Sequence, residues 1–168
     1  EGGSIFTNDD DIARKARLFR SHGRSSSNYF ESTDSGTYVD IGYNFRMPNL
    51  NAALACAQLE RLDELLAEKR RLATAYRDFF QTKSFAAFAE EPEGTRSNYW
   101  LCAVILEDPS EREAMLEALN TAKIQARPVW KLMTELPMYA DCQKGPLPNA
   151  QWLRQRLVNL PSGVQALV

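Results

Sequence analysis

Between Asn51 and Phe80 run thirty residues without a glycine or a proline. Such a stretch lacks the two residues that most disfavour a helix interior. Leu59, Leu62, Leu66, Ala73, Tyr76 and Phe80 mark one face of it, and Leu65, Leu72 and Phe79 widen that face. An apolar stripe of this kind needs a partner to bury it. At the helical rise the whole stretch would run roughly 45 Å. That is more than a small domain needs, so residues 51–82 are expected to connect two domains, as one rod or with a kink or break.

The residues ahead of this element read as the edge of a larger domain. Gly3 to Thr7 (GSIFT) is expected to form a short strand. Asn8 to Asp11 offer capping side chains and negative charge for a helix start. Ile12, Ala16 and Phe19 then recur at helical spacing, and Gly23 is a left-handed stop. From Arg24 to Asp40 the chain is polar, relieved only by Tyr29, Phe30 and Tyr38. A structureless stretch of that length inside a compact domain is uncommon and usually functional or mobile. Gly42-Tyr43-Asn44-Phe45-Arg46-Met47-Pro48 leads into the long helix.

The second half has another rhythm. Asn98 to Leu106 (NYWLCAVIL) is a continuous apolar run, consistent with a buried strand that takes Trp100 into the core. Ser110-Glu111-Arg112-Glu113 reads as a capping box, followed by Met115, Leu116 and Leu119 facing inward. Ile124 to Trp130 is a candidate second strand, interrupted by Pro128. Residues 135–148 form a proline-rich loop, and Asn149 is placed to cap a last helix carrying Trp152, Leu153 and Leu157. Strand, helix, strand, helix is the order of a small α/β or α+β domain.

Charge and composition narrow the function. The net charge of -2 and pI of about 5.5 argue against a nucleic-acid partner. No apolar run reaches the length of a membrane span. Cys56, Cys102 and Cys142 are odd in number and lack a CxxC spacing; Cys56 and Cys102 read as small buried apolar residues. A reducing cytoplasm fits this pattern, and one histidine with scattered cysteines gives no metal site. The opening Glu1-Gly2-Gly3 has no signal-peptide character and reads as the continuation of a longer chain.

Four short segments are weak singly and specific in combination: Glu1-Gly2-Gly3, Thr7-Asn8-Asp9, Arg20-Ser21-His22-Gly23, and Gly42 to Met47 followed by Asn51-Ala52-Ala53-Leu54. In this order and spacing the chain resembles the DegT/DnrJ/EryC1/StrS family, the pyridoxal phosphate (PLP)-dependent aminotransferases of nucleotide-linked sugars. Ser97-Asn98-Tyr99-Trp100, Arg127-Pro128-Val129-Trp130 and Asn159-Leu160-Pro161-Ser162 look like its legionaminic- and bacillosamine-type subgroup.

The resemblance implies the C-terminal part of a fold type I aminotransferase. Residues 1–50 would end the large coenzyme-binding domain, 51–82 would be the connecting helix, and 83–168 the small C-terminal α/β domain. The family's Schiff-base lysine lies a few residues upstream of the EGG segment, so it is expected to precede Glu1. Lys15, Lys69, Lys83, Lys123, Lys131 and Lys144 stand in segments unlike that motif and read as surface charge. This chain by itself is then expected to be inactive.

What the chain would supply is the rim of the site. Asn44 matches the asparagine that reaches the PLP phosphate of the neighbouring subunit, and its amide donates to phosphate without adding a titrating charge. Arg46 pairs with phosphate or with a carboxylate that orders the loop; Tyr43 flanks the same site. His22 touches substrate or fixes its turn, while Arg24 and Tyr29 would meet diphosphate and base. Arg127 and Trp130 offer a cation and a stacking surface for the same nucleotide. The resemblance implies a homodimer, a nucleotide-sugar substrate and an amino-acid donor, typically glutamate. Two alternatives stay open: a sugar dehydratase of the same family, with histidine for the lysine, and a non-catalytic oligomerisation module.

Overall fold

The computed structural model describes residues 2–24 and 38–164. Tyr29, Phe30 and most of the polar stretch lie outside the described residues, as does Glu1. The chain divides into two compact units, Glu1–Arg61 and Leu62–Val168. Their boundary falls inside the stretch expected to connect two domains.

The first unit holds α1 (Asp10–Arg20) and α2 (Asn49–Glu60). Asp9 caps α1, its carboxylate accepting from the N–H groups of Asp11 and Ile12. Asp10 and Asp11 sit in the first turn and Arg17 and Arg20 in the last, each complementing the helix dipole. Gly3 to Thr7 is not a strand; it pairs with nothing among the described residues and stays exposed. No apolar side chain among this unit's described residues is buried.

The second unit begins with α3 (Leu62–Phe80). The Asn51–Phe80 run is therefore two helices, broken where Arg61 leaves helical geometry at φ -105° and ψ 10°. No glycine or proline marks the spot. Two further strands stand where no clear residue signal marks them: β1 (Ala86–Phe88) and, at the end, β4 (Leu157–Leu160). Between them lie β2 (Cys102–Leu106), α4 (Arg112–Thr121), β3 (Arg127–Pro128) and α5 (Pro148–Arg156).

Among the described residues these strands make one antiparallel sheet in the order β1-β2-β4-β3. Cys102, Val104, Leu106, Val158 and Leu160 alternate onto its buried face, where they meet Ala73, Phe80 and Leu116 of the helices. Tyr76, Met115 and Leu119 pack against the edge of this core.

Several local expectations need correction. The capping residue ahead of α4 is Asp108, which accepts from Ser110 N–H and opens a 3₁₀ turn before the helix proper. Pro148, not Asn149, opens α5; proline suits a first helical position, where its missing N–H costs nothing. The strand expected over Ile124–Trp130 is only two residues long, because Pro128 lacks the donor to continue a ladder. Cys102 is buried as expected, but Cys56 is exposed, since α2 has no buried face within its unit. Among the described residues, no helix is long and apolar enough to cross a membrane.

Candidate functional site

In the first unit the end of α1 and the segment 38–47 cross each other. The N–H of His22 donates to the Tyr43 carbonyl at 3.0 Å, that of Tyr43 to Phe19 at 2.7 Å, and that of Phe45 to Arg20 at 3.1 Å. Ser21 and Asn44 form an isolated β-bridge, as do Arg24 and Tyr38. Val39 N–H donates to the Gly23 carbonyl at 2.9 Å. His22 and Gly23 both take left-handed backbone, at φ 62° and 71°. For histidine that conformation is uncommon and marks a turn held by its surroundings.

This crossing fixes the backbone of the motif and leaves its side chains outside. His22, Tyr43, Asn44 and Arg46 are exposed, and the Tyr43 and Phe45 rings stack at 4.9 Å. Arg24 differs: it is buried, with its guanidinium 5.9 Å from the centroid of the Tyr38 ring. Of the sequence-derived candidates, the structure thus gathers His22, Arg24, Tyr43, Asn44 and Arg46 around one turn. Tyr29 lies outside the described residues. The donor set at this turn, an amide flanked by a guanidinium and a phenol, fits a phosphate. A hollow of 500 Å³ in the same unit is lined by Gly2, Gly3, Met47, Asn51 and Leu54.

The other two candidates belong to the second unit. Arg127 lies on the edge strand opposite Asn159, exposed. Trp130 is also exposed, and it has a partner that sequence reasoning placed wrongly. Trp100 is not core: it is 66% exposed and stacks on Trp130, centroids 6.0 Å apart and planes 20° off parallel.

The reason is the turn before it. Ser97 Oγ accepts from Tyr99 N–H and Asn98 Oδ1 from Trp100 N–H, side-chain turns that divert the chain from its strand. Tyr99 is forced to φ 45°; its ring packs against the core beside Phe88, and Trp100 is turned outward.

Two cations of α3 hold this turn. Lys69 Nζ donates to the carbonyls of Trp100 and Ser162, and Arg70 donates to the Ser97 carbonyl at 2.7 Å. Arg70 also forks onto both carboxylate oxygens of Glu91, whose Oε2 in turn accepts from Ser97 N–H. Arg70 first, and then the Ser97 amide, pull the Glu91 carboxyl down to about 2. Ser162 closes the other side: its hydroxyl accepts from Cys102 N–H and donates to Leu160. The Ser97-Asn98 pair was a legible turn signal; the Lys69–Arg70–Glu91 clamp had none, because Arg70 and Glu91 stand 21 residues apart.

Elsewhere in this unit a 570 Å³ cavity is lined by Phe85, Glu107, Asp108, Glu111 and Met115. Its lining is acidic and apolar, which suits no phosphate. Of the lysines, Lys15, the first unit's one lysine, is exposed, and Lys69 is tied to the carbonyls of Trp100 and Ser162.

Residues 1–166 match the sequence model of the DegT/DnrJ/EryC1/StrS aminotransferase family. The chain is 32% identical over 163 residues to GDP-perosamine synthase of Escherichia coli O157:H7, covering 96% of this chain and 42% of that protein. It is 26% identical over 164 residues to UDP-4-amino-4,6-dideoxy-N-acetyl-beta-L-altrosamine transaminase of Helicobacter pylori, covering 96% and 43%. Among solved structures, PseC of Helicobacter pylori, an aminotransferase of pseudoaminic acid biosynthesis, superposes with a TM-score of 0.84 at 24% identity, over 95% of this chain and 43% of that one. The chain spans less than half the length of the relatives it matches.

Proposed function

Because the chain belongs to the DegT/DnrJ/EryC1/StrS aminotransferase family, we propose that it is the C-terminal part of a PLP-dependent enzyme. The reaction moves an amino group from an amino acid, glutamate first, to a nucleotide-linked keto-sugar used in cell-surface or secondary-metabolite sugar biosynthesis in the cytoplasm. Residues 1–50 finish the coenzyme-binding domain, and 83–168 form the small one. The coenzyme's lysine belongs to a part of the subunit outside this chain.

One observation carries the reading. The crossing at Gly23 and Gly42 pins the Asn44 backbone to Ser21 and leaves the Asn44 amide exposed. A donor held in this way reaches a neighbouring group without losing much freedom on binding. PLP, when bound, supplies the electron sink for amino transfer. Asn44 then donates to its phosphate from the opposite subunit of a homodimer. Arg46 adds a cation, and Tyr43 and His22 wall the mouth. Arg24, buried beside Tyr38 in the crossing, and Tyr29 meet the diphosphate and base. Arg127 and Trp130 face the nucleotide.

The test is a complete subunit loaded with PLP. Glutamate and a nucleotide-linked 4-keto-sugar should give 2-oxoglutarate and the amino-sugar. Asn44→Ala should weaken coenzyme binding by about tenfold or more, the loss expected for a hydrogen bond to a charged group. Sugar deoxygenation without amino transfer would assign the dehydratase chemistry instead. No PLP absorbance at all would leave the oligomerisation module.

A further inference from the structure

The two exposed indoles are not explained by packing. Trp100 and Trp130 are 66% and 65% exposed, yet they stack on each other and are rigidly mounted. Trp100 stands on a left-handed Tyr99 and on carbonyls gripped by Lys69 and Arg70. Strained backbone that turns a large apolar ring toward water is a feature to be explained by function.

The stretches that carry the pair hold cations, the nearest acid in the clamp, Glu91, being paired with Arg70. Residues 94–106 and 118–134, which carry the two indoles, contain Arg96, Lys123, Arg127 and Lys131 and no Asp or Glu, in a chain whose net charge is -2. An aromatic platform flanked by such cations fits a flat ring that carries phosphates.

We infer that Trp100 and Trp130 together form a stacking platform for the base of a nucleoside diphosphate, with Trp100 as a binding residue in its own right. The inference rests on the nucleotide-sugar reading above. The indole separation decides how the base docks. A ring slipped between them would need two contacts of about 3.5 Å each, roughly 7 Å in all. The centroids are 6.0 Å apart. The base therefore adds as a third layer on the outer face of the pair. Stacking of this kind tolerates any base, so UDP and GDP bind alike.

The experiment uses this chain with Trp152→Phe, so that the fluorescence comes from the pair alone. Titration with UDP and with GDP should quench it saturably; glucose 1-phosphate, which has no base, should not. Trp130→Leu, followed through Trp100 emission, should weaken binding at least about fivefold, and Trp100→Leu likewise through Trp130. Trp100→Phe should retain most of it. Circular dichroism of each variant checks the fold, which these exposed positions should leave intact.

Unchanged affinity in both Leu variants overturns the inference, as does the absence of saturable quenching or equal quenching by glucose 1-phosphate. A fall in oligomer size on Trp100→Leu without nucleotide quenching overturns it too, by making the pair a subunit contact. Amino transfer is not part of this readout. Trp-dependent GDP binding in a protein that transfers no amino group would sink the function and keep the platform. An active transaminase whose Trp100→Leu variant binds GDP normally would do the reverse.

Discussion

Gly42 lies so close to Gly23 that a β-carbon on it would stand 1.9 Å from the Gly23 nitrogen. A β-carbon on Gly23 would stand 1.9 Å from the Asp40 carbonyl oxygen, at a φ of +71° that already disfavours a side chain. Both obstacles are backbone and cannot swing aside. Gly42→Ala should therefore push the 38–47 segment off the end of α1, at a cost of roughly 2 kcal/mol or more. Protease should cut this segment several times faster than in the parent. Gly145→Ala, where nothing lies within 4 Å, is the control and should change nothing. Equal cleavage in all three would mean the crossing is not what holds Asn44.

The Glu91 clamp predicts an acid response. Its folded carboxyl titrates at about 2, below the ordinary 4.5. A depressed carboxyl contributes stability that is fully present above 4.5 and drains away as pH falls toward 2. The thermal midpoint should drop across that window, and Glu91→Gln should flatten the drop while lowering stability at neutral pH. Asp108 is also depressed, chiefly by the Ser110 N–H it accepts, so part of the slope will remain. A variant with the parent's full slope would remove Glu91 from the account.

Thiol chemistry should separate the three cysteines. Cys102 is buried in the sheet core, and burial pushes its thiol up, against weaker opposing pulls from Ser162 and Lys69. Cys56 and Cys142 are exposed. Iodoacetamide at pH 8 should label two thiols in the folded chain and the third only in denaturant. Mass spectrometry showing Cys102 alkylated natively would contradict the buried strand.

What could be read ahead of the structure followed local chemistry. Asp9 beside an amphipathic run, and Gly23 after it, are enough to bound α1. The apolar block ending at Leu106 is enough to place β2. The failures share a cause: they depend on partners distant in sequence. β4 continues straight from α5 and has only Leu157–Leu160 to show, so its pairing with β2 was invisible. Trp100 sits at the head of an apolar run and reads as core; the Ser97–Asn98 turn, held by the clamp from α3 and Glu91, turns it outward. The break at Arg61 left no residue-level mark. The crossing that presents Asn44 was not legible, since no periodicity brings His22 to Tyr43; resemblance pointed to Asn44 alone.

The first unit's apolar surface makes the last prediction. Ile5, Phe6, Leu50 and Leu54 are 72%, 92%, 80% and 64% exposed, and no apolar side chain among the unit's described residues is buried. Covering such a residue stabilises by roughly 1.5–3 kcal/mol, so water is a poor long-term neighbour for the set. The relatives the chain matches are more than twice as long. Expressed as it stands, the chain should cover the face by self-association or bind a hydrophobic dye. Leu54→Glu should lower the association constant at least about tenfold, since one lost contact of this size exceeds the roughly 1.4 kcal/mol that a decade requires. Trp100→Leu, on the other unit, should leave association unchanged. Sedimentation of a clean monomer with no dye binding would show that the face is stable in water, and the case for a missing neighbour would fall.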